Sequence, residues 1–417
     1  MLIKLYTPHK GVTALIVMAL AVSDSAWADA QDALNYSLGT SVRFEDNLFR
    51  LPDSANTVAT LGKSQRSDQV YTTNAGIKID KAYSLQRFQV DAGIVDNRYK
   101  TYDDLDYTAF NYRAAWLWRL TPNISGTLQA DQQQILNNFA DYRDANNLLI
   151  RRRSIQTNQS RVFNVDALVG GGLHLLGGIS EFRSRNSQTF NAVGNYIQTG
   201  GELGIKYVTP SENSIALIQR ASKGDYQGRI ADVLNQLDTG FEQRETEAKV
   251  IWHLTGKSEI DARLGYVDRQ HDHFSSRDYD GVTGRLDYNW TPTDKLRINT
   301  SLTRNISSYQ QVINSYYVAD TFSISPVWQV DAKVNVRLSY DYSQRDYFGA
   351  IVAIPEKRKD KVQSLLLAAE WQPTRTITVN GALQHEARNS NFNNPGNAGG
   401  DLGYDANSAT IGIQLLF

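Results

Sequence analysis

Few residues in this sequence have the types and spacing that chemistry requires. The run His271-Asp272-His273 has side chains that bind metal ions, and Arg151-Arg152-Arg153 places three guanidinium groups together. Catalytic patterns such as G-x-S-x-G, H-E-x-x-H and the P-loop are absent, and the chain has no cysteine. We therefore expect no enzyme, no catalytic or metal site and no cofactor. The histidine run is interpreted as a solvated loop. The arginine run could contact lipopolysaccharide phosphates or an anionic polymer, although a solvated basic turn is favoured.

Other charged residues follow a regular pattern, which indicates the elements that position them. From Val282 to Trp290, apolar or aromatic residues alternate with polar ones such as Arg285. A polar break, Thr291 to Asp294, contains proline, and alternation then resumes as far as Leu302. A side-chain period of two predicts a strand, and proline in a short polar break predicts a turn. The segment is thus expected to be a β-hairpin with one apolar and one charged face.

This hairpin unit recurs along the chain, with an aromatic residue beside each turn. Three successive anchors, Trp252, Trp290 and Trp328, lie 38 residues apart, and Trp371 follows 43 residues later. Such spacing suits two strands, a short turn and a longer loop. We expect these aromatic side chains to form a girdle at one membrane interface. The predicted girdle residues are Trp118, Tyr207, Trp252, Trp290, Trp328 and Trp371.

Composition is compatible with a membrane barrel even though mean hydropathy is −0.43. In a transmembrane barrel the lipid-facing and lumen-facing residues alternate, so the average conceals the apolar face. After residue 30 no apolar run reaches the ~18 residues of a membrane helix. The formal net charge of −1 gives no electrostatic reason to expect nucleic acid as a partner.

Both ends of the sequence carry export signals. Lys4, the apolar stretch Gly11 to Val22 and the Ala26-Trp27-Ala28 cleavage pattern predict a signal peptide over residues 1–28. The remaining residues, 29–417, are expected to form one outer-membrane barrel. The final segment alternates from Ala409 and ends on Phe417. That ending resembles the C-terminal signal of outer-membrane barrels, which implies recognition by the barrel-assembly machinery.

The predicted fold is all-β, a closed antiparallel up-and-down barrel that spans the outer membrane of a Gram-negative cell. About 18 strands are expected, or 16 if the weak segments Ile215 to Arg220 and Phe322 to Val327 are loops. Pro326 would remove a ladder donor from the second of these. A barrel of this size encloses an aqueous lumen. Lipid and lipopolysaccharide would surround it.

Charged residues on the second face are candidates for the path of a transported molecule. A row of arginines opposite carboxylates would suit an acidic sugar polymer, whereas local pairing would only keep the lumen wet. The candidate lumen residues are Arg43, Arg87, Arg113, Lys206, Lys249, Arg263, Arg285, Arg297 and Arg337.

The exit of the first predicted strand, Glu45-Asp-Asn-Leu-Phe-Arg-Leu51, resembles the start of EpsL-type proteins. These are outer-membrane barrels encoded in exopolysaccharide operons associated with exosortase B. The aromatic-x-x-T-P turns, such as Trp118 to Pro122, are also similar to that family. The resemblance implies export of an extracellular polysaccharide, with periplasmic export components as partners. It carries over Asp46, Asn47, Phe49 and Arg50 as a motif of unknown role, located at the outer rim or folded into the lumen.

Polysaccharide export is therefore the first functional hypothesis. The alternatives are a general diffusion porin for small solutes, an outer-membrane enzyme acting on lipid or polysaccharide, and a structural surface barrel with a plugged lumen. Conductance would separate an open pore from a plugged one, and a rim cluster of perturbed titratable groups would indicate an enzyme.

Overall fold

The computed structural model describes residues 34–141, 151–188, 194–354, 356–392 and 401–417. The predicted signal peptide lies outside these residues. The regular secondary structure of the described chain is almost entirely β-strand. They are β1 (Leu34–Glu45), β2 (Asp68–Tyr83), β3 (Gln86–Tyr99), β4 (Tyr107–Thr121), β5 (Ile124–Leu136), β6 (Ile155–Gly170), β7 (Leu173–Asn186), β8 (Tyr196–Val208), β9 (Ser214–Tyr226), β10 (Gly240–Thr255), β11 (Ser258–His271), β12 (Tyr279–Thr293), β13 (Leu296–Ser308), β14 (Tyr316–Gln329), β15 (Val334–Phe348), β16 (Lys359–Trp371), β17 (Ile377–Ser390) and β18 (Tyr404–Leu416).

The helices are short and lie in the connections. Within the described ranges they are α1 (Thr57–Leu61) and two 3-10 turns, Asp103–Leu105 and Ser275–Arg277. Asn56 caps α1 by accepting a hydrogen bond from the Ala59 amide, and Gly62 ends the helix with φ 70°. In the described parts of the chain, no helix has the length and apolar character needed to cross a membrane.

The sheet closes on itself. Each strand pairs antiparallel with its neighbours in sequence, and β1 pairs with β18 from Ser37–Leu416 to Glu45–Ser408. The prediction of an up-and-down barrel is confirmed with 18 strands, because both weak segments form full strands, β9 and β14. Closure leaves no sheet edge, which is the condition for placing strands in lipid, where unpaired backbone groups find no water.

The two ends of the barrel differ. Connections after even-numbered strands are short, such as residues 84–85 and 256–257, whereas those after odd-numbered strands are longer, such as residues 46–67. Glycine makes one tight turn possible: Gly171 and Gly172 adopt φ of 58° and 81°, where a Cβ would be strained. Below, "turn end" denotes the end with the short connections and "loop end" the opposite one.

The outer surface carries an apolar band. Leucine, isoleucine and aromatic side chains at alternate positions are exposed, for example Leu203 at 74% and Ile411 at 64%. In water such a surface would be costly, and in a bilayer it is matched by lipid. The predicted girdle residues other than Trp118 are exposed near the turn end; they are Tyr207, Trp252, Trp290, Trp328 and Trp371.

Trp118 differs from the other predicted girdle residues. It lies directly opposite Gly126 and is only 7% exposed, with its indole stacked on Phe163 at a centroid distance of 5.9 Å. The missing side chain of Gly126 makes room for the ring, since a Cβ there would be 2.4 Å from the indole. Trp118 therefore packs flat against the wall rather than projecting outward, a detail that depends on a neighbouring strand.

Among the interruptions of the ladder on the described barrel wall, one lies between β4 and β5 and another at Pro326. Pairing of β4 with β5 begins at Tyr112–Gln132, so the loop-end residues of the two strands are not paired with each other. There side-chain amides replace the ladder: the Phe110 amide donates to Gln134 Oε1 at 2.7 Å, and Gln132 Nε2 donates to the Phe110 carbonyl at 2.9 Å. At Pro326 the pairing of β14 with β15 skips from Ile324 to Val327, as the missing N–H predicts.

Candidate functional site

The barrel interior contains a cavity of about 780 Å³, lined by residues of β1–β5 and β12–β18. Much of its wall is serine, threonine and asparagine, which projects inward because alternate residues of each strand face the lumen. Six arginines and four carboxylates add charge to this lining. They are Arg43, Arg50, Arg285, Arg297, Arg337, Arg345, Glu45, Asp287, Asp341 and Glu370. The site can therefore solvate polar molecules and carries more positive than negative side chains.

Loop 1, residues 46–67, contributes to an apolar cluster at the loop end. Phe49 is 2% exposed and contacts Tyr102 and Phe139, with centroid distances of 4.8 and 4.5 Å. Leu48 and Leu51 belong to the same cluster, and Leu48 and Phe139 also line the cavity. The hydrophobic effect thus holds part of loop 1, including Phe49 of the motif at Glu45 to Leu51, inside the barrel mouth.

Polar contacts fix loop 1 to the strands that close the barrel. Arg50 donates to Glu45 Oε1 at 2.5 Å and to Glu386 Oε2 at 3.1 Å. Asn47 donates to the Asp405 carbonyl at 2.9 Å, and Asp46 accepts two bonds of 2.7 Å from Asn407. Burial disfavours the charge on Arg50, but Glu45 and Glu386 outweigh this and raise the pKa of its guanidinium. All four predicted motif residues therefore serve to anchor the loop.

The described residues that follow β5, 137–141, are called loop 3 below and are tethered to more distant strands. Asp141 accepts from Arg345 of β15 at 3.1 Å and from Arg388 of β17 at 2.9 Å. Ala140 packs against Tyr404 and Ala406 of β18. Burial raises the pKa of the Asp141 carboxyl, but the two arginines outweigh that effect and hold it well below its usual range. This tether carries loop 3 from the end of β5 to the opposite side of the mouth.

Opposite the cavity-lining strands, the inner face of β6–β11 is a wall of paired charges. Arg220 contacts Glu202 at 2.8 Å, Glu247 at 3.1 Å and Glu245 at 3.4 Å. Asp166 pairs with both Lys206 and His174. The charges on this wall therefore largely compensate one another.

The nine candidate lumen residues fall into three groups. Arg43, Arg285, Arg297 and Arg337 line the cavity. Lys206, Lys249 and Arg263 belong to the paired wall, the last two each 3.9 Å from Asp261. Arg87 and Arg113 form local contacts, Arg87 with Asp80 at 2.7 Å and Arg113 with Gln129 at 3.4 Å. Local pairing is thus the better description of the second and third groups.

Several residues of the mouth had no signal in the sequence. Asp141, Glu386 and Arg388 hold the loops, yet their partners are more than two hundred residues away in the chain. Alternation places Glu386 and Arg388 on the inner face of β17, but it does not indicate what they bind. Contacts across a lumen are set by the tertiary fold and leave no local pattern.

The two runs considered for chemistry lie in or beside the loops. His273 contacts Asp238 at 2.8 Å, and this hydrogen bond raises the pKa of His273. His271 lies at the end of β11, with its Nδ1 3.2 Å from Asp278. No group of three or more potential ligands suited to a metal ion occurs among the described residues. Arg151 to Arg153 are exposed, and Arg153 donates to the Asp106 carbonyl.

Sequence comparison adds a family match over the second half of the barrel. Residues 239–415 match the model described as "Putative beta-barrel porin 2". This match, together with the closed barrel and its apolar outer band, places the protein in the outer membrane. The chain is an outer-membrane β-barrel. No curated protein matches it in sequence.

Three solved structures align with most of this chain. The outer membrane protein OpdK from Pseudomonas aeruginosa aligns with TM-score 0.48 and 11% identity, covering 92% of this chain and 99% of that one. A BenF-like porin from Pseudomonas fluorescens Pf-5 aligns with TM-score 0.49 and 12% identity, covering 92% and 98%. OccAB3 of Acinetobacter baumannii gives TM-score 0.49 at 9% identity, covering 92% and 99%. At these identities and TM-scores the alignments carry no conclusion about this chain.

The family match bears on the functional hypotheses. A porin description favours a channel over an enzyme and supports the diffusion porin that was the alternative hypothesis. Polysaccharide export, the first hypothesis, and the EpsL-type resemblance gain no support from it. The more general part of that resemblance, an outer-membrane barrel, stands.

Proposed function

We propose that this outer-membrane barrel is a passive diffusion channel for small hydrophilic solutes. The observation that carries the proposal is the polar cavity of about 780 Å³ inside a closed wall. Hydroxyl, amide and guanidinium groups there can replace part of the hydration shell of a solute without trapping it.

The contacts of the mouth support small solutes rather than a polymer. Loop 1 is held inward by Phe49 and Arg50, and loop 3 is held across the mouth by Asp141. Two anchored loops reduce the cross-section open to a solute, and each is fixed by charged hydrogen bonds that do not yield to weak forces. A bulky hydrated polysaccharide would require both tethers to open.

Single-channel recording and liposome swelling test the proposal. The purified full-length barrel should give discrete conductance steps in planar bilayers and should admit small sugars at rates that fall as solute size rises. Arg304→Gln is a suitable control, because Arg304 faces outward and pairs with Asp320 at 2.8 Å, away from the cavity. A folded barrel that neither conducts nor admits sugars would refute a diffusion channel and favour the structural-barrel hypothesis.

A deletion strain separates diffusion from export. Under the present proposal, the amounts of surface and periplasmic polysaccharide stay unchanged when the chain is absent, while uptake of small solutes falls. Periplasmic accumulation of polymer in the deletion strain would instead support export and the periplasmic partners that the EpsL-type resemblance implies. Re-expression of the intact chain is the control for effects on neighbouring genes.

A further inference from the structure

Two cavity arginines occupy matching positions on either side of one strand. Arg297 of β13 is directly opposite Val327 of β14, and Val327 is directly opposite Arg337 of β15. All three line the cavity. Adjacent strands are about 4.8 Å apart, so the two arginines start roughly 10 Å apart on one face. Side chains of this length can bring both guanidinium groups to one molecule above Val327.

The lack of a carboxylate partner among the described residues sets these two arginines apart from the other four in the cavity. Arg43, Arg50, Arg285 and Arg345 each have a carboxylate partner, at 3.6, 2.5, 2.6 and 3.1 Å respectively. Across the described residues, no carboxylate oxygen comes within 4.0 Å of Arg297 or Arg337. The pair therefore presents two positive charges that the protein does not neutralise by direct contact.

The side chains around the pair add hydrogen-bond donors. Ser325, two residues before Val327, shares a hydrogen bond of 2.8 Å with Ser339, two residues after Arg337, and Asn299 and Asn335 also line the cavity. The nearby acidic group on β16 is Glu370, which accepts a hydrogen bond from Gln372 at 2.9 Å. The surroundings are thus rich in hydroxyl and amide groups, which suit an oxyanion.

We propose that Arg297 and Arg337 form a binding subsite for an oxyanion, the phosphate or carboxylate group of a solute in transit. The inference rests on the proposed diffusion function. Two forked guanidinium groups can each give two parallel N–H donors to such a group. Neutralising the pair would relieve the mutual repulsion of two like charges in a partly desolvated wall. The subsite would make the channel favour anions while leaving the path open to neutral solutes.

Direct binding tests the subsite without requiring conduction. The detergent-solubilised full-length barrel should bind inorganic phosphate in calorimetry, and a parallel titration with acetate distinguishes the phosphate from the carboxylate group. Arg297→Gln with Arg337→Gln should weaken binding by about tenfold or more, because the variant loses both positive charges and their charged hydrogen bonds. Arg304→Gln, on the opposite face of β13, should bind as the wild type does.

A second variant distinguishes the effect of positive charge from that of the bidentate guanidinium geometry. Arg297→Lys with Arg337→Lys keeps both charges but loses the bidentate geometry, so its affinity should lie between those of the wild type and the glutamine variant. Heat-modifiable mobility confirms that each variant is folded. Wild-type protein that binds neither anion, or a folded glutamine variant that binds as tightly as the wild type, would overturn the subsite.

Bilayer recordings distinguish this inference from the channel proposal itself. In a salt gradient, the wild type should be anion-selective and the glutamine variant markedly less so, with conductance retained. If no variant conducts but phosphate binding is lost on substitution, the diffusion channel is refuted while the subsite stands. If all conduct with one and the same selectivity and bind no phosphate, the channel stands and the subsite is refuted.

Discussion

Asp141 is a single carboxylate on which the position of loop 3 depends. Its contacts with Arg345 and Arg388 connect residues 204 and 247 positions away in the chain. Replacing it with asparagine would leave two guanidinium groups without their counter-ion and weaken the tether by about 2 kcal/mol. We expect Asp141→Asn to give larger or noisier single-channel currents, because loop 3 would leave the mouth more often. Currents like those of the wild type would contradict a tether role.

The same tether should resist mild acid. The folded-state pKa of Asp141 is lowered, so its contribution is present above the ordinary carboxyl pKa and is lost as pH falls through the lowered value. Conductance of the wild type should therefore be steady between about pH 7 and pH 5. Noise that increases already within that range would place the titrating group elsewhere.

Phe417 is predicted to be the assembly signal, and the structure gives its backbone a second role. Its amide and carbonyl exchange hydrogen bonds of 2.9 Å with Tyr36, next to the β1–β18 ladder, while its ring is exposed. Phe417→Ala keeps these bonds and removes only the ring. If the ring is the signal, this variant should lower the amount of heat-modifiable barrel in the membrane without changing synthesis. Normal insertion of Phe417→Ala, with loss only on deleting the residue, would indicate that the backbone bonds matter.

At the scale of elements, β4 and β5 are joined by backbone hydrogen bonds in their turn-end half and by side-chain hydrogen bonds in their loop-end half. A chain without cysteine allows this to be measured cleanly. The pair Ala114→Cys with Ala130→Cys, at positions directly opposite each other, should oxidise readily to a disulfide. Cysteines at Thr108 and Leu136, which continue the same register beyond the last pair, should oxidise much more slowly because the strands have separated. Equal rates, measured on non-reducing gels, would mean that the ladder continues to the loop end.

Strands were predictable because their signal is local. The alternation from Val282 to Leu302 places Arg285 and Arg297 on the face opposite Leu286 and Ile298, and the structure has the same arrangement. Period two is a property of the backbone, so sequence alone determines which residues share a face. Full strands form even where the pattern is weak, as in β14, because the neighbouring strands supply hydrogen-bond partners.

Contacts between elements were not predictable in the same way. Trp118, like Trp290, precedes a turn that contains Thr-Pro, but the glycine opposite Trp118 allows its ring to lie flat. Asp141 precedes no recognisable pattern, and its arginines lie on distant strands. Alternation also gives no means of distinguishing an arginine with a counter-ion, such as Arg285, from one without, such as Arg297.

For the whole molecule, the important feature is the balance of charge between the cavity-lining strands and the paired wall of β6–β11. Arg220 contacts three carboxylates on the paired wall and reduces their mutual repulsion; they are Glu202, Glu245 and Glu247. Arg220→Gln would leave them repelling one another and facing the lumen. We expect a shift of the reversal potential toward cation selectivity, together with a lower unfolding midpoint in urea. Unchanged selectivity in a folded variant would mean that this wall does not influence the permeating ions.

The β1–β18 ladder also has a consequence for biogenesis. Hairpins such as β12–β13 can pair as soon as both strands are available, but β1 must wait for β18. Until then both outermost strands expose bare amide and carbonyl groups, the arrangement most prone to association with other chains. Escort proteins in the periplasm would have to shield the nascent sheet throughout that interval. The faster β1 pairs with β18, the smaller the fraction of the polypeptide that should aggregate.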